Sequence, residues 1–262
     1  MTNISLPYMP QRPAKPRSEG LTMMMDKGLS LRQAEDFIES SGEFTDYVKL
    51  GFGTSVITTK LAEKVSLYQK AGLQVYFGGT LFEAFIIRGM FDEYRKYIDK
   101  FNVKMVEVSD GSMHIDHDKK LEYIQKLATS YTVVSEVGSK VKGVNIEPAD
   151  WVSMMKSELQ AGSVKVIAES RESGTIGIYN ADGSVNESLI NAITTGLKSS
   201  DIIWEAPNGK QQIWFIKIFG PNVNLGNIAP EIVVPLECLR VGLRGDTFFD
   251  SLPKELHQFM QL

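Results

Sequence analysis

Eight times between Leu21 and Asn227 the chain runs from a short apolar stretch through a small or charged residue into an amphipathic helical segment. That repetition, the three-to-six-residue length of the apolar stretches and the absence of a G-x-G-x-x-G after the first of them predict an α/β fold. Specifically, they predict a single (β/α)8 barrel of the TIM type rather than an open doubly wound sheet. The 262 residues suit one such barrel. Three segments follow: an extended N-terminal arm over 1–20, punctuated by Pro7, Pro10, Pro13 and Pro16; the barrel over 21–247; and a short C-terminal tail over 248–262.

Leu21 to Asp26 reads as the first strand. Its helix is announced by Ser30 and Gln33 as a capping box, with Leu31, Ala34, Phe37 and Ile38 on one face. Tyr47 to Gly51 opens the second unit, whose helix carries Leu61, Val65 and Tyr68 and stops at Gly72. Leu73 to Phe77 leads into Gly78-Gly79-Thr80 and two helical stretches, Val103 to Val108 into Ser109-Asp110-Gly111, and Thr132 to Val137 into Gly138-Ser139-Lys140. Val164 to Ala168 precedes a long loop, Glu169 to Tyr179, of the length that tends to carry function. Ile202 to Trp204 is the seventh strand and Val223 to Leu225 the eighth, followed by a helix with Ile232, Leu236, Leu239 and Leu243.

A net charge of −4 lacks the basic excess of nucleic-acid binders, and no run of about 18 apolar residues offers a membrane span. The polar N-terminus has no signal-peptide core, so a cytoplasmic location is expected. The one cysteine, Cys238, falls in the apolar register of the last helix and excludes a disulfide or an all-cysteine metal site.

In a barrel of this class the functional groups lie at the C-terminal strand ends. Here those ends carry Lys27, Lys49, Glu107, Glu136, Lys140, Glu169, Arg171, Glu205, Asn224 and Asn227. Four glutamates at matching points of strands four to seven need a cation or paired lysines between them. With oxygen ligands and no Cys–His cluster the hard ions Mg²⁺ or Mn²⁺ fit; for any single glutamate an ion pair at the rim is the competing reading. Lys49 points into the barrel or outward between helices, with Val48 and Leu50 on the opposite face. With Lys27, Lys140, Arg171 and Arg244 it would match a ligand bearing several negative charges. Gly226-Asn227 ahead of an apolar helix would offer backbone N–H groups to a phosphate. His114 and His117, beside Asp116 and Asp118 at a polar helix start, are read as solvated.

The motifs D-K-G-L (26–29), V-K-L-G-F-G-T-S (48–55), G-G-T-L-F-E (78–83), E-V-S-D-G-S (107–112), S-E-V-G (135–138), R-E-S-G (171–174), E-A-P (205–207), Q-Q-I-W-F-I (211–216), V-N-L-G-N-I-A (223–229) and G-L-R-G-D-T (242–247) occur in order along the chain. Together they resemble the phosphosulfolactate synthase family, whose enzymes add sulfite to phosphoenolpyruvate to give (2R)-2-O-phospho-3-sulfolactate on the way to coenzyme M or sulfolactate. The resemblance implies an α/β barrel, Mg²⁺ dependence, homotrimers and a lysine after the fifth strand as proton donor. That lysine falls on Lys140; where the family stretch ends V-G-K-K this chain has V-G-S-K, so Ser139 replaces one cation.

Physical and family readings meet on one expected site: Lys140 and Lys49 as catalytic groups; Lys27, Arg171, Gly174, Asn224, Gly226, Asn227 and Arg244 for the anionic substrate; and Glu136, Glu169 and Glu205 for Mg²⁺. The competing class is a non-catalytic stress-tolerance or scaffold protein that keeps the barrel and an anion pocket; binding without turnover would mark it.

Overall fold

The computed structural model describes residues 3–139, 146–171 and 173–260. Eight parallel strands form one sheet in the order β3-β2-β1-β8-β7-β6-β5-β4, curled until β3 and β4 face each other across the seam of a nearly closed (β/α)8 barrel. The strands are β1 (Thr22–Asp26), β2 (Tyr47–Leu50), β3 (Gln74–Phe77), β4 (Met105–Val108), β5 (Thr132–Val137), β6 (Ser163–Ala168), β7 (Ile202–Glu205) and β8 (Leu225–Ile228). Between and after them come α1 (Leu31–Ser41), α2 (Thr54–Ile57), α3 (Leu61–Lys70), α4 (Gly79–Ile86), α5 (Phe91–Lys100), α6 (His117–Ala128), α7 (Pro148–Ala161), α8 (Glu187–Gly196), α9 (Gly209–Phe219) and α10 (Val233–Arg240).

The expected capping box is present: the Gln33 amide N–H donates to Ser30 Oγ, and the Ser30 N–H donates to Gln33 Oε1. Gly72 follows α3 with φ +76°, where a Cβ is disfavoured. Strand seven runs one residue further than expected. Strand eight is displaced: it occupies Leu225–Ile228, not Val223 to Leu225, because Leu225 and Gly226 pair with Trp204 and Glu205. Leu243 lies outside the last helix and is half exposed.

Two apolar layers sort the side chains by strand alternation. One fills the space between sheet and helices. The other, inside the barrel, is built from Leu21 and Met23, Tyr47, Tyr76, Met105, Val134, Ile167 and Ile203, so that each of the first seven strands contributes. Gly226 completes the ring from β8: a Cβ there would stand 2.6 Å from Met23 Cε and 3.0 Å from Ile203 Cγ2. Steric room therefore selects glycine at this position.

The arm closes the opposite, N-terminal end of the barrel. Arg12 pairs with Glu237 at 2.9 Å and donates to the Pro221 and Gly20 carbonyls, and Arg17 pairs with Asp46 at 3.1 Å. Fully buried Arg240 donates to the carbonyls of Pro221, Val223 and Leu21. Among the described residues no helix is long and apolar enough to cross a membrane.

Candidate active site

The C-terminal mouth holds a cavity of about 450 Å³. Its floor follows from alternation: Lys49, Glu107, Glu136 and Glu205 each lie two residues beyond an inward core residue (Tyr47, Met105, Val134, Ile203), so all four point into the barrel one layer higher. Lys49 Nζ stands 2.9 Å from Glu107 Oε2, 3.3 Å from Glu136 Oε2 and 3.4 Å from Glu205 Oε1, all four side chains being buried. Lys49 takes the inward option. Burial alone would lower its pKa, but the carboxylates of Glu107, Glu136 and Glu205 outweigh that and hold the ammonium well above the ordinary lysine value.

The carboxylates are themselves fixed. Glu107 Oε1 accepts the Gly79 N–H at 2.5 Å, placing it at the N-terminus of α4 across the β3–β4 seam, where the helix dipole favours an anion. Glu205 Oε2 accepts the Ser170 N–H at 2.8 Å, and its carbonyl accepts from Tyr179 O–H at 2.6 Å. The Glu136 carbonyl accepts from Lys120, which also pairs with Asp110 at 2.7 Å and Glu158 at 2.8 Å. Asp110 and Asp26 are strand-end charges of a different kind: Asp26 accepts from Lys64 and Tyr68 and from the Gly28 and Leu29 N–H groups, tying the β1–α1 loop down. Met25, Phe52, Thr80, Ser112, Ser170, Arg171, Ser173 and Asn227 form the walls and rim of the cavity. The Asn227 backbone has φ +57° and its Oδ1 is buried without a hydrogen-bond partner.

Of the expected site residues the structure brings together Lys49, Glu136, Glu205, Arg171 and Asn227. It separates others. Lys27 is exposed beyond β1 and does not line the cavity. Asn224 precedes β8 at the N-terminal end, where Oδ1 accepts from the Leu21 N–H and Nδ2 donates to the Ser200 and Ile202 carbonyls; its polar groups serve the barrel, not a substrate. Gly226 lies within β8 against Met23, and the Asn227 N–H points at Met23 Sδ, so the expectation that this backbone forms a helix N-terminus is corrected. Arg244 follows α10, which returns antiparallel to the strands and so ends at the opposite face, and pairs with Asp246 at 3.2 Å. Gly174, φ +65°, is packed under Asn208 and Gln211, shaping the loop that carries Arg171 rather than facing the cavity. Glu169 sits one residue past β6 beside Gly138, outside the cavity lining, while Glu107 takes a place among the carboxylates. Lys140 lies outside the described residues.

The donor set suits a hard divalent ion: three carboxylates meet one ammonium, and the orphaned amide oxygen of Asn227 borders the same cavity. Among the described residues no three acidic, His or Cys side chains form a ready-made chelate. Mg²⁺ does not demand one, since it is commonly held by one or two carboxylates together with substrate oxygens and water.

Comparison with known proteins gives this geometry its context. The profile of the (2R)-phospho-3-sulfolactate synthase family (ComA) matches residues 10–246. A phosphosulfolactate synthase of Methanothermobacter thermautotrophicus is 39% identical over 244 residues, covering 91% of this chain and 95% of the relative. One from Bacillus subtilis is 37% identical over 252 residues, covering 95% and 100%. Among solved structures, the YdjI aldolase from Escherichia coli K12 superposes with a TM-score of 0.55 over 82% of this chain and 77% of its own, at 10% identity, which speaks to the shared barrel alone. With the profile spanning nearly the whole barrel and both relatives matched end to end, the chain belongs to the phosphosulfolactate synthase family, a family of enzymes.

Proposed function

We propose that the chain catalyses the Mg²⁺-dependent addition of sulfite to phosphoenolpyruvate, giving (2R)-2-O-phospho-3-sulfolactate. The observation that carries this reading is the juxtaposition of a carboxylate–ammonium floor with an arginine at the rim of one cavity. In the reaction the sulfite sulfur bonds to the methylene carbon, the double-bond pair moves toward the carboxylate, and a proton enters at the carbon bearing the phosphate, whose ester bond stays intact. Arg171, with the hydroxyls of Ser170 and Ser173 beside it, would bind the phosphate; a guanidinium matches a dianion in both charge and geometry. Lys49, kept protonated, would neutralise charge beneath the substrate carboxylate and keep the glutamates from repelling one another. One or two of Glu136, Glu205, Glu107 and Glu169, with substrate oxygens and water, would hold Mg²⁺, which when bound would supply positive charge where the electron pair arrives. Lys140 remains the proposed acid, on the family resemblance.

The same reading includes a homotrimer in the cytoplasm; the exposed Val56 and Ile57 of α2 offer apolar surface for self-association. The deciding experiment follows phosphoenolpyruvate consumption with sulfite and Mg²⁺, with bicarbonate and water as control nucleophiles. Sulfonate formation supports the synthase, and ligand binding without turnover supports the scaffold class. Lys140→Ala is expected to lower turnover by roughly 10²-fold or more with substrate affinity nearly unchanged; equal loss of both would make it an electrostatic anchor.

A further inference from the structure

The chain leaves β2 through Gly51-Phe52-Gly53. A left-handed residue in such a turn would ordinarily be one of the glycines, which adopt positive φ without penalty. Here it is the phenylalanine: Phe52 has φ +55° while Gly53 has φ −105°. For a bulky side chain this is a genuine outlier, of the kind that persists where surrounding structure enforces it. The enforcement is visible. The Gly78 N–H donates to the Leu50 carbonyl at 2.9 Å, and a Cβ on Gly78 would meet Phe52 N at 2.8 Å, so the end of β3 is pressed against this backbone. Of the five non-glycine residues with positive φ among those described, two, Phe52 and Asn227, line the cavity.

Core packing does not account for the ring. Phe52 is 40% exposed and belongs to neither apolar layer. With Met25 it forms the apolar wall of a cavity otherwise bounded by Thr80, Ser112, Arg171 and the charged floor. A three-carbon enol phosphate presents two anionic ends and one apolar edge, its methylene.

We propose that Phe52 is a specificity-determining residue: its ring packs against the methylene carbon, fixes the face that the nucleophile approaches and bars water from it. The inference rests on the substrate reading above. Sulfite attack forms a C–S bond at that carbon; attack by water there would form a C–O bond and, after protonation of the neighbouring carbon, a 3-hydroxy-2-phosphooxy acid.

The test compares wild type, Phe52→Gly and Phe52→Leu by thermal unfolding, calorimetric titration with phosphoenolpyruvate, and ³¹P product analysis with sulfite present. Phe52→Gly is expected to unfold no earlier than wild type, since the Cβ that opposes a positive φ is removed, yet to lose about tenfold or more in sulfonate formation. Any 3-hydroxy product it releases supports the water-barring role, and Phe52→Leu should recover most of the rate by restoring apolar bulk. Phe52→Gly with wild-type rate, affinity and product overturns the inference, as does early unfolding with an unchanged turnover per folded molecule. A wild type that neither binds nor consumes phosphoenolpyruvate overturns the substrate reading itself, and this inference with it, a result distinct from an active wild type matched by its glycine variant.

Discussion

The two ends of the barrel use cations in opposite ways. At the N-terminal face Arg12, Lys15, Lys165 and Arg240 direct donors at backbone carbonyls, binding arm, strand starts and α10 into one closed layer. At the C-terminal face Lys49 faces three carboxylates around a cavity, and two non-glycine residues of its lining, Phe52 and Asn227, stand in left-handed backbone conformations. Donors spent on carbonyls, or matched one to one with a carboxylate as Arg12 is with Glu237 and Arg17 with Asp46, have nothing left to offer a ligand, whereas one ammonium among three carboxylates leaves charge for a metal ion or substrate to engage. The division follows the rule that conservative stability resides at one face of such a barrel and chemistry at the other, and substitutions can test whether it is as sharp as the geometry makes it.

The largest effect is expected from Lys49→Met. Removing one partner of a buried charge cluster costs about 3–5 kcal/mol, so the variant should unfold well below wild type and show no sulfite-dependent turnover. A stable variant would mean that the carboxylates tolerate one another without Lys49.

Next comes the contrasting face. Arg240→Met removes a donor from the carbonyls of Pro221, Val223 and Leu21, of which Pro221 keeps Arg12 and Leu21 keeps the Leu225 N–H, so at about 1–3 kcal/mol for a buried group left unsatisfied it should cost less stability than the first variant. Turnover per folded molecule, measured well below the unfolding transition, should match wild type. A fall in kcat would show that the closed face reaches the chemistry and would break the division between the two ends.

A finer comparison lies within the mouth. Glu136→Gln should raise the Mg²⁺ concentration for half-maximal activity by about tenfold or more, in the range seen when metal-supporting groups are altered. Glu169→Gln, removing a carboxylate outside the cavity lining, should raise it less. The reverse order in a metal titration would return Glu169 to the expected ligand set in place of Glu107.

Period and repetition made the barrel legible and gathered the strand-end glutamates at one mouth, but they left the direction of Lys49 open and named Glu169 rather than Glu107 beside Glu136 and Glu205; in the structure Lys49, Glu107, Glu136 and Glu205 repeat the inward register of Tyr47, Met105, Val134 and Ile203. What failed was one strand boundary. Reading the eighth strand as Val223 to Leu225 put Asn224 and Gly226 at a ligand-facing end. In fact the pairing of Gly226 with Glu205 moves Asn224 to the closed face and buries Gly226 in the barrel ring. Arg244 was misplaced for lack of helix direction, a tertiary property. The left-handed Phe52 left no trace because flanking glycines suggest that one of them takes the turn.

The smallest expected effect is an absence of change, and it distinguishes a fixed charge from a proton carrier. Burial pulls the Lys49 pKa down and the carboxylates of Glu107, Glu136 and Glu205 pull it up by more, so the folded value lies well above the 10.5 of an unperturbed lysine. A group whose pKa is raised on folding contributes stability that is fully present below its unfolded pKa and is lost only as pH climbs through the folded one. Across pH 7 to 9.5, therefore, Lys49 should neither change charge nor contribute a pH-dependent term to stability or rate. In protein carrying ¹³Cε-labelled lysine, the Lys49 resonance, assigned by its disappearance in Lys49→Arg, should stay in place over that interval while exposed lysines begin to move near their usual midpoint of about 10.4. A Lys49 resonance that titrates below pH 9.5 would mean that the carboxylates are largely protonated and cannot hold the ammonium. Lys49 would then become a candidate for the proton-transfer step assigned here to Lys140.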